Sequence, residues 1–294
     1  QIEMKFSAWK YGFELVEDTS DNILLNSYVY DVDHNSSVIT WNCSSNETNV
    51  NASVNQDTKY MTIEGINDFN GYVNITCYAF DPDNANGSDS FILNVTAVND
   101  PPYVTIVNPN SSTYAGSLLE INWTIDDPDG DVVFNSTVEI KSGALGTYVL
   151  INSSNEGYSY LYDSSSLNGD SFYIRVNTTD IFGAQRSVVS DAFIIDNTAP
   201  ISYTIIYPTE GSYVNEDPVP FTFKINDNLA DILNCNLFVD GVFVSNNDSV
   251  DDNTQFIFEE SGISAAEHNW SLSCVDPAGN LGNSSLINFG NLID

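Results

Sequence analysis

Carboxylates are the side chains of this 294-residue sequence best placed to do chemistry: 41 Asp and Glu stand against 7 Lys and Arg, a formal net charge of −34. Most are aspartates, and many fall in turn-forming stretches such as Asp31-Val-Asp33, Asp81-Pro-Asp83 and Asp127-Pro-Asp129-Gly-Asp131. Turn carboxylates supply the hard oxygens that calcium takes, so cation binding is the chemistry this composition offers first. Solubility, or life in a salty medium, is the plainer reading of the same charge. Acid–base catalysis by paired carboxylates needs one of them raised in an apolar pocket, whereas these acids lie in turns. The only histidines are His34 and His268, which supplies neither a histidine zinc cluster nor a Ser-His-Asp set well. No glycine-rich phosphate loop precedes a helix, and no enzyme is expected. Nucleic acid and anionic membrane surfaces reward basic patches and are poor partners for this charge.

The elements that would position these acids are set by two seams, Thr96 to Pro102 (TAVNDPP) and Phe193 to Pro200 (FIIDNTAP). Each closes an alternating apolar run with a polar turn and then proline, which cannot continue a central strand. They cut the chain into residues 1–100, 101–199 and 200–294. The first third shows short alternating runs at Ile23 to Tyr30, Val38 to Cys43, Tyr60 to Ile63, Tyr72 to Phe80 and Phe91 to Val98, broken by Asn70-Gly71 and Asn86-Gly87, which predicts a β-sandwich. The other two thirds repeat one another. VTIVNP from Val104 answers YTIIYP from Tyr203, LEINWTI from Leu119 answers VPFTFKI from Val219, and FYIRVNTTDIFG from Phe172 answers HNWSLSCVDPAG from His268. One topology for both is expected. The fold class is thus all-β, three tandem sandwich domains in an extended array. Residues 1–16 stand apart: Ile2, Met4, Phe6 and Ala8 alternate as a strand, either the first of domain 1 or one given to a neighbouring chain. The terminal run Ser285 to Ile293 has the same two possibilities. No window reaches the roughly 18 consecutive apolar residues of a membrane helix, and the initial Gln1 fits removal of a leader or a segment boundary.

Strand parity sorts the remaining residues, because side chains alternate strictly between faces. Fifteen Asn-x-Ser/Thr sequons are present, at Asn35, Asn42, Asn46, Asn51, Asn74, Asn86, Asn94, Asn110, Asn122, Asn135, Asn152, Asn177, Asn247, Asn269 and Asn283. In the four strands tested, Asn74, Asn122, Asn177 and Asn269 fall opposite the apolar set, where a glycan needs them. Part of this excess is compositional, since Asn, Ser and Thr are all abundant. Cys43, Cys77, Cys235 and Cys274 fall on the buried faces. Four cysteines allow three pairings, and the repeat favours Cys43 with Cys77 and Cys235 with Cys274; four buried thiols are the alternative. Domain 2 has Ser136 and Thr178 at the corresponding places. Lys224, the residue to consider for an isopeptide bond, alternates with Phe221, Phe223 and Ile225 and faces away from the core. Sequons and cysteines together indicate an oxidising, extracellular setting.

With those residues in view, domain 1 resembles the cadherin-like repeats of prokaryotic surface proteins, on Asp68-Phe-Asn-Gly71, CYAFDPD from Cys77 and FILNVTAVNDPP from Phe91. Domains 2 and 3 resemble the immunoglobulin-like repeats of bacterial and archaeal exported proteins, on DNTAP from Asp196 and DPAGN from Asp276. The cadherin-like resemblance implies structural calcium at the seams: Asn99 and Asp100 as linker ligands, Asp127, Asp129 and Asp131 from domain 2, and Asp31, Asp33, Asp81 and Asp83 from domain 1. Asp196, Asp227 and Asp231 would serve the second seam. The chain departs from the pattern, since its linker lacks a second Asn and its acidic Asp-Arg-Glu element is missing. Such modules build stalks, adhesins, surface layers and filaments. The expectation is a glycosylated, extracellular structural protein of the archaeal kind. It would be a cell-surface filament subunit joined by strand exchange, a surface-layer component or an adhesive stalk, with itself or other surface proteins as partners. Two alternatives are an accessory region of a larger secreted enzyme, and a module recognising carbohydrate or a host surface, for which Tyr173 and Phe238 are outward-facing aromatics.

Overall fold

The computed structural model describes residues 2–6, 12–66, 68–154 and 158–293. The chain divides into two compact units: Gln1–Pro102 with Asp126–Val132 and Asp180–Ala184, and Tyr103–Ile125 with Val133–Thr179 and Gln185–Asp294. Among the described residues it is all-β, with two short 3-10 turns and no α-helix.

In the first unit a four-stranded sheet runs Phe13–Val16, Asn86–Thr96, Gly71–Phe80, Thr40–Ser45, and a three-stranded sheet runs Ser20–Leu24, Tyr60–Gly65, Val50–Val54. Alternation drives the pairing: Val73, Ile75, Cys77 and Ala79 are all fully buried, in one core with Met61 and Ile63 of the facing layer. The expected continuous strand Ile23 to Tyr30 is instead broken by a 3-10 turn at Leu25–Tyr28, which buries Leu25 and restarts the chain as Val29–Asp31. The second strand of the hairpin Gly71–Thr96 begins at Asn86, so Asn86-Gly87 belongs to the strand rather than the turn. Val50–Val54 has no counterpart among the expected strands.

The chain's beginning is taken up by its own unit. Ile2–Met4 pairs antiparallel with Val29–Asp31, and Ile2, Met4 and Phe6 are buried in the same core as Trp41 and Phe91. Phe13–Val16 lies parallel to Leu93–Thr96. This is the intramolecular alternative to strand exchange; Ser7 and Ala8 lie outside the described residues.

The second unit holds two further cores, one from Val104 to Ile195 and one from Val214 to Phe289. Each sits between a three-stranded sheet (Tyr103–Asn108, Leu118–Asp126, Ser159–Asp163; Ser202–Tyr207, Val219–Asn226, Phe256–Glu260) and a six-stranded one. The larger sheets match element for element: Tyr114–Ala115, Phe193–Ile195, Gly169–Asp180, Val133–Ser142 and Val149–Ser154 against Ser212–Val214, Ile287–Asn291, Glu267–Val275, Ile232–Val239 and Val242–Asp251, with Gln185–Val189 and Leu281–Asn283 added at the same place. The internal repeat is therefore a repeat of topology. Ile287–Asn291 pairs with Glu267–Trp270 within the chain.

Both expected disulfides are formed, Cys43–Cys77 and Cys235–Cys274. Each joins directly opposed residues of neighbouring strands in one sheet.

Candidate metal centre

The acids that converge in the first unit do so at strand ends. Glu17 follows the strand Phe13–Val16; its amide donates to the Thr96 carbonyl at 3.1 Å and its Oε1 accepts from the amide of Val98. That pair of bonds turns the segment after Thr96 so that Asn99 and Asp100 face the loops Asp126–Val132 and Asp180–Ala184. The Asp100 amide donates to Oδ2 of Asp129 at 2.8 Å, and the Asn99 side chain donates to Oδ2 of Asp180 at 2.9 Å. Each loop is shaped by its own aspartate. Oδ1 of Asp127 accepts the amides of Asp129 and Asp131, both at 3.1 Å, while Oδ1 of Asp180 accepts those of Phe182, Gly183 and Ala184. Asp18 and Asp68 complete the group, the Asp68 amide donating to Oδ1 of Asp18 at 3.3 Å. Both have positive φ, 59° and 62°, a left-handed backbone that costs any residue with a Cβ and concentrates at functional sites.

Ligand-capable oxygens of Glu17, Asp100 and Asp129 lie within 4.8 Å of one another, as do those of Asp18, Asp68 and Asp100, and of Asp127, Asp129 and Asp131. Asp100 and Asp129 each belong to two of the three sets. Like charges this close resist ionisation. Burial first, and then the charges of Asp68, Asp18, Glu17 and Asp129, push the Asp100 carboxyl up to about 6. Burial and the neighbouring Asp127, Asp129 and Asp180 also raise Asp131. Oε2 of Glu17, which is 1% exposed, and Oδ2 of Asp100 and of Asp127 are buried and accept no hydrogen bond. A buried acceptor left unpaired costs about 1–3 kcal/mol, and more when charged. An oxygen-only donor set with orphaned buried carboxylate oxygens fits a calcium ion and offers nothing to a metal that prefers nitrogen or sulfur.

Of the residues expected at this site, Asn99, Asp100, Asp127, Asp129 and Asp131 are brought together, whereas Asp31, Asp33, Asp81 and Asp83 are not. Asp81 sits at the tip of a hairpin whose register pairs Phe80 with Asn86 at that end and Gly71 with Val95 at the other. Asn99 and Asp100 follow Thr96, so the ladder separates the two ends by about 30 Å at the rise of a β-strand. Asp31 and Asp81 instead gather around His34, whose Nδ1 lies 3.3 Å from Oδ1 of Asp31 and 3.8 Å from Oδ2 of Asp81; its Nε2 is 3.7 Å from Asp83, and the Asp33 amide donates to Oδ1 of Asp31. Glu17, Asp18, Asp68 and Asp180 were not expected as ligands. The signal for Asp180 was present in the repeat, which aligns it with Asp276; Glu17 could have been found as the acid ending the strand beside Thr96.

Other candidate positions resolve differently. None of the fifteen sequon asparagines is buried. Asn177 nevertheless donates twice from its side-chain nitrogen, to Thr137 at 3.1 Å and to Glu139 at 2.8 Å. Tyr173 lies beneath the Lys141 ammonium at 4.7 Å, and Phe238 packs edge-on against Phe243 at 6.1 Å, so neither is an open stacking platform. His268 is held between Asp240, 2.7 Å from Nδ1, and the Ser264 carbonyl, 2.9 Å from Nε2. Both acceptors favour the doubly protonated ring, in which the imidazole offers no lone pair to the Ser264 hydroxyl 3.4 Å from Nε2. Burial opposes the charged form here, but Asp240 and the Ser264 carbonyl outweigh it and the histidine's pKa is raised.

No family model matches the sequence, and none of the curated proteins matches it. Solved structures do. The fibronectin(III)-like modules of Clostridium thermocellum CbhA match at 16% identity, covering 65% of this chain and 94% of that one, with a TM-score of 0.38. The chicken CNTN1 FN1–FN3 domains match at 10% identity over 99% and 97% of the two chains, TM-score 0.43. The human Desmocollin-1 ectodomain matches at 13% identity over 95% of this chain and 57% of that one, TM-score 0.43. The β-sandwich architecture itself is given by the paired sheets and cores described above.

Proposed function

We propose that this chain is part of a glycosylated extracellular surface protein with a structural or adhesive role, and that calcium bound by its first unit locks three stretches of chain together. The observation that carries the calcium reading is the convergence of Glu17, Asp100 and Asp129, with Asp127 beside them, around buried carboxylate oxygens that no donor satisfies. Calcium would neutralise their repulsion and fix residues 99–100 against the loops Asp126–Val132 and Asp180–Ala184. Two disulfides, together with sequons none of whose asparagines is buried, support an oxidising exterior.

Within that reading the finer role is a non-enzymatic subunit of a filament or surface layer, or an adhesive stalk of the prokaryotic repeat type. Because Ile2–Met4 and Ile287–Asn291 are paired inside the chain, assembly would proceed through surfaces rather than through exchange of either strand. Electron microscopy of native material, with and without a calcium chelator, tests this. Regular filaments or lattices that come apart on chelation are the expected outcome. Isolated particles in both conditions would overturn the filament and surface-layer versions, and a calcium titration without heat or thermal stabilisation would overturn the calcium reading.

A further inference from the structure

His34 gathers three of the aspartates that the oxygen-only group leaves out, and it brings the donor that group lacks, an imidazole nitrogen. Asp31 ends the strand Val29–Asp31, and its Oδ1 accepts the amides of Asp33 at 3.0 Å and of His34 at 2.6 Å. Asn35 then caps the 3-10 turn Ser36–Val38 by accepting the Ser37 amide at 3.0 Å. The backbone of His34 is thus fixed from both sides. Asp81 follows the strand Gly71–Phe80; its amide donates to the Ala85 carbonyl at 3.0 Å, and its Oδ1 accepts the amides of Asp83 at 2.9 Å and of Ala85 at 2.8 Å. Each aspartate is aimed by its own loop, independently of the histidine.

The ring itself is not hydrogen-bonded into this frame. Nδ1 of His34 faces Asp31 at 3.3 Å and Asp81 at 3.8 Å, whose side chains are 1% and 4% exposed, and one donor atom from each of the three lies within 4.8 Å of the others. That nitrogen is buried and has no hydrogen-bond partner. A protonated ring would close on one carboxylate at about 2.7–2.9 Å, and a neutral one would leave a buried polar atom unsatisfied. The spacing is instead that of ligands around a common ion: two donors at about 2.0–2.2 Å from a tetrahedral centre stand about 3.3–3.5 Å apart. On the far side of the ring, Nε2 faces Asp83 at 3.7 Å, the place of the outer carboxylate that orients a metal-bound histidine.

We infer that His34, Asp31 and Asp81 hold one divalent cation of the zinc class, with Nδ1 of the imidazole as a ligand. One nitrogen with carboxylate oxygens suits zinc and its first-row neighbours, whereas calcium takes oxygen alone. The ion stands where a proton on Nδ1 would otherwise stand. His34 is not among the ligands the cadherin-like pattern implies, and none of these residues belongs to the group around Asp100, so the inference is independent of the calcium reading. Its structural effect falls on the strand Ile2–Met4. Ile2 is paired with Asp31, and a Cβ on Gly87, in the hairpin strand that follows Asp81, would meet Ile2 at 3.1 Å. An ion joining Asp31 to Asp81 fastens the two segments against which Ile2 lies, and so retains the strand in its own unit.

The test is calorimetric titration of zinc chloride into the full chain, freed of metal by chelator and held in a constant excess of calcium. Wild type is expected to take one zinc tightly. His34→Gln and Asp81→Asn are each expected to weaken that binding at least tenfold, whereas His268→Gln and Asp100→Asn leave it unchanged. The chain has only two histidines, so imidazole NMR of the wild type gives a reading that does not depend on the folding of His34→Gln. Zinc is expected to shift the Nδ1 resonance of one ring, and that shift persists in His268→Gln. Zinc affinity unchanged in a folded His34→Gln, zinc displaced by the calcium excess, or a shift confined to the ring of His268 would each overturn the inference and leave His34 as a counter-ion to its aspartates. Failure of the calcium reading would show separately, as calcium binding indifferent to Asp100→Asn.

Discussion

Asn99 donates from its side-chain amide to Oδ2 of Asp180 across 2.9 Å, although 81 residues separate them. The bond leaves that aspartate ionised: burial works against it, but Asn99 and the amides of Ala184, Phe182 and Gly183 hold its carboxyl below the ordinary value. One member of the acidic group thus keeps its charge by hydrogen bonding, whereas Asp100 and Asp131 are raised and need a cation to be charged comfortably.

Glu17→Gln keeps the acceptor for Val98 but removes a charge from the set with Asp100 and Asp129. Calcium affinity of the first unit is expected to fall at least tenfold, about 1.4 kcal/mol. In chelator the variant is expected to unfold no earlier than wild type. Titration calorimetry and differential scanning calorimetry check the two halves.

The His268–Asp240 pair predicts a pH dependence of definite sign. The folded imidazole has a raised pKa, so its contribution is fully present below the unfolded value of about 6.5 and is lost as pH rises through the folded value. Asp240, held below its ordinary range through this pair, stays ionised throughout. The stability difference between wild type and His268→Gln should therefore be larger at about pH 5.5 than at about pH 8.5, on either side of that titration, as read from urea midpoints in constant calcium.

Ser136 and Thr178 are buried at 6% and 1% exposure, and the side-chain bonds Asn177 to Thr137 and Arg175 to Glu139 share the antiparallel alignment that sets them opposite each other. The double variant Ser136→Cys, Thr178→Cys is expected to close a third cross-strand disulfide and to stabilise its domain, by up to about 4 kcal/mol on loop entropy. Removing Cys235–Cys274 should cost roughly 2–5 kcal/mol. Free-thiol titration and reducing-versus-oxidising melts read both.

Gly282 faces the Pro200 carbonyl so closely that an added Cβ would collide with that oxygen. Backbone rather than a flexible side chain would have to move, so Gly282→Ala is expected to destabilise by at least about 1–3 kcal/mol, the usual cost of overpacking. Chemical denaturation of the purified variant measures it.

Glycan occupancy should follow the hydrogen bonds. Asn177 spends both amide hydrogens on Thr137 and Glu139 and is expected to be unmodified, while the exposed Asn42, Asn46, Asn86, Asn110 and Asn283 are expected to carry sugar. Glycopeptide mass spectrometry of native material decides this site by site.

The parts legible in the sequence were those governed by period and repeat. Alternation placed Cys77 and Cys274 on buried faces, and the match of domains 2 and 3 anticipated one topology twice. Of the converging group, Asn99, Asp100, Asp127, Asp129 and Asp131 were anticipated through the cadherin-like resemblance, whereas the members set by pairing of distant strands were not. Glu17 joins them because a parallel pairing with Leu93–Thr96 carries it to the same end, and Asp31 and Asp81 leave because the hairpin Gly71–Thr96 points them the other way. Which end of a strand a turn occupies depends on register between distant segments, and no local pattern encodes it.

The two disulfides each bond residues that already face one another on adjacent strands, 34 and 39 positions apart in sequence. Under a stretching force the enclosed segments cannot extend. At about 3.3–3.6 Å per extended residue, the Cys43–Cys77 bond withholds on the order of 110–120 Å of contour length and Cys235–Cys274 about 130–140 Å, whereas the segment around the core from Val104 to Ile195, with Ser136 and Thr178 in the equivalent places, yields all of its length. A chain loaded from its ends in an oxidising medium therefore has one long-travel element between two short-travel ones, and a reducing medium would make the three alike.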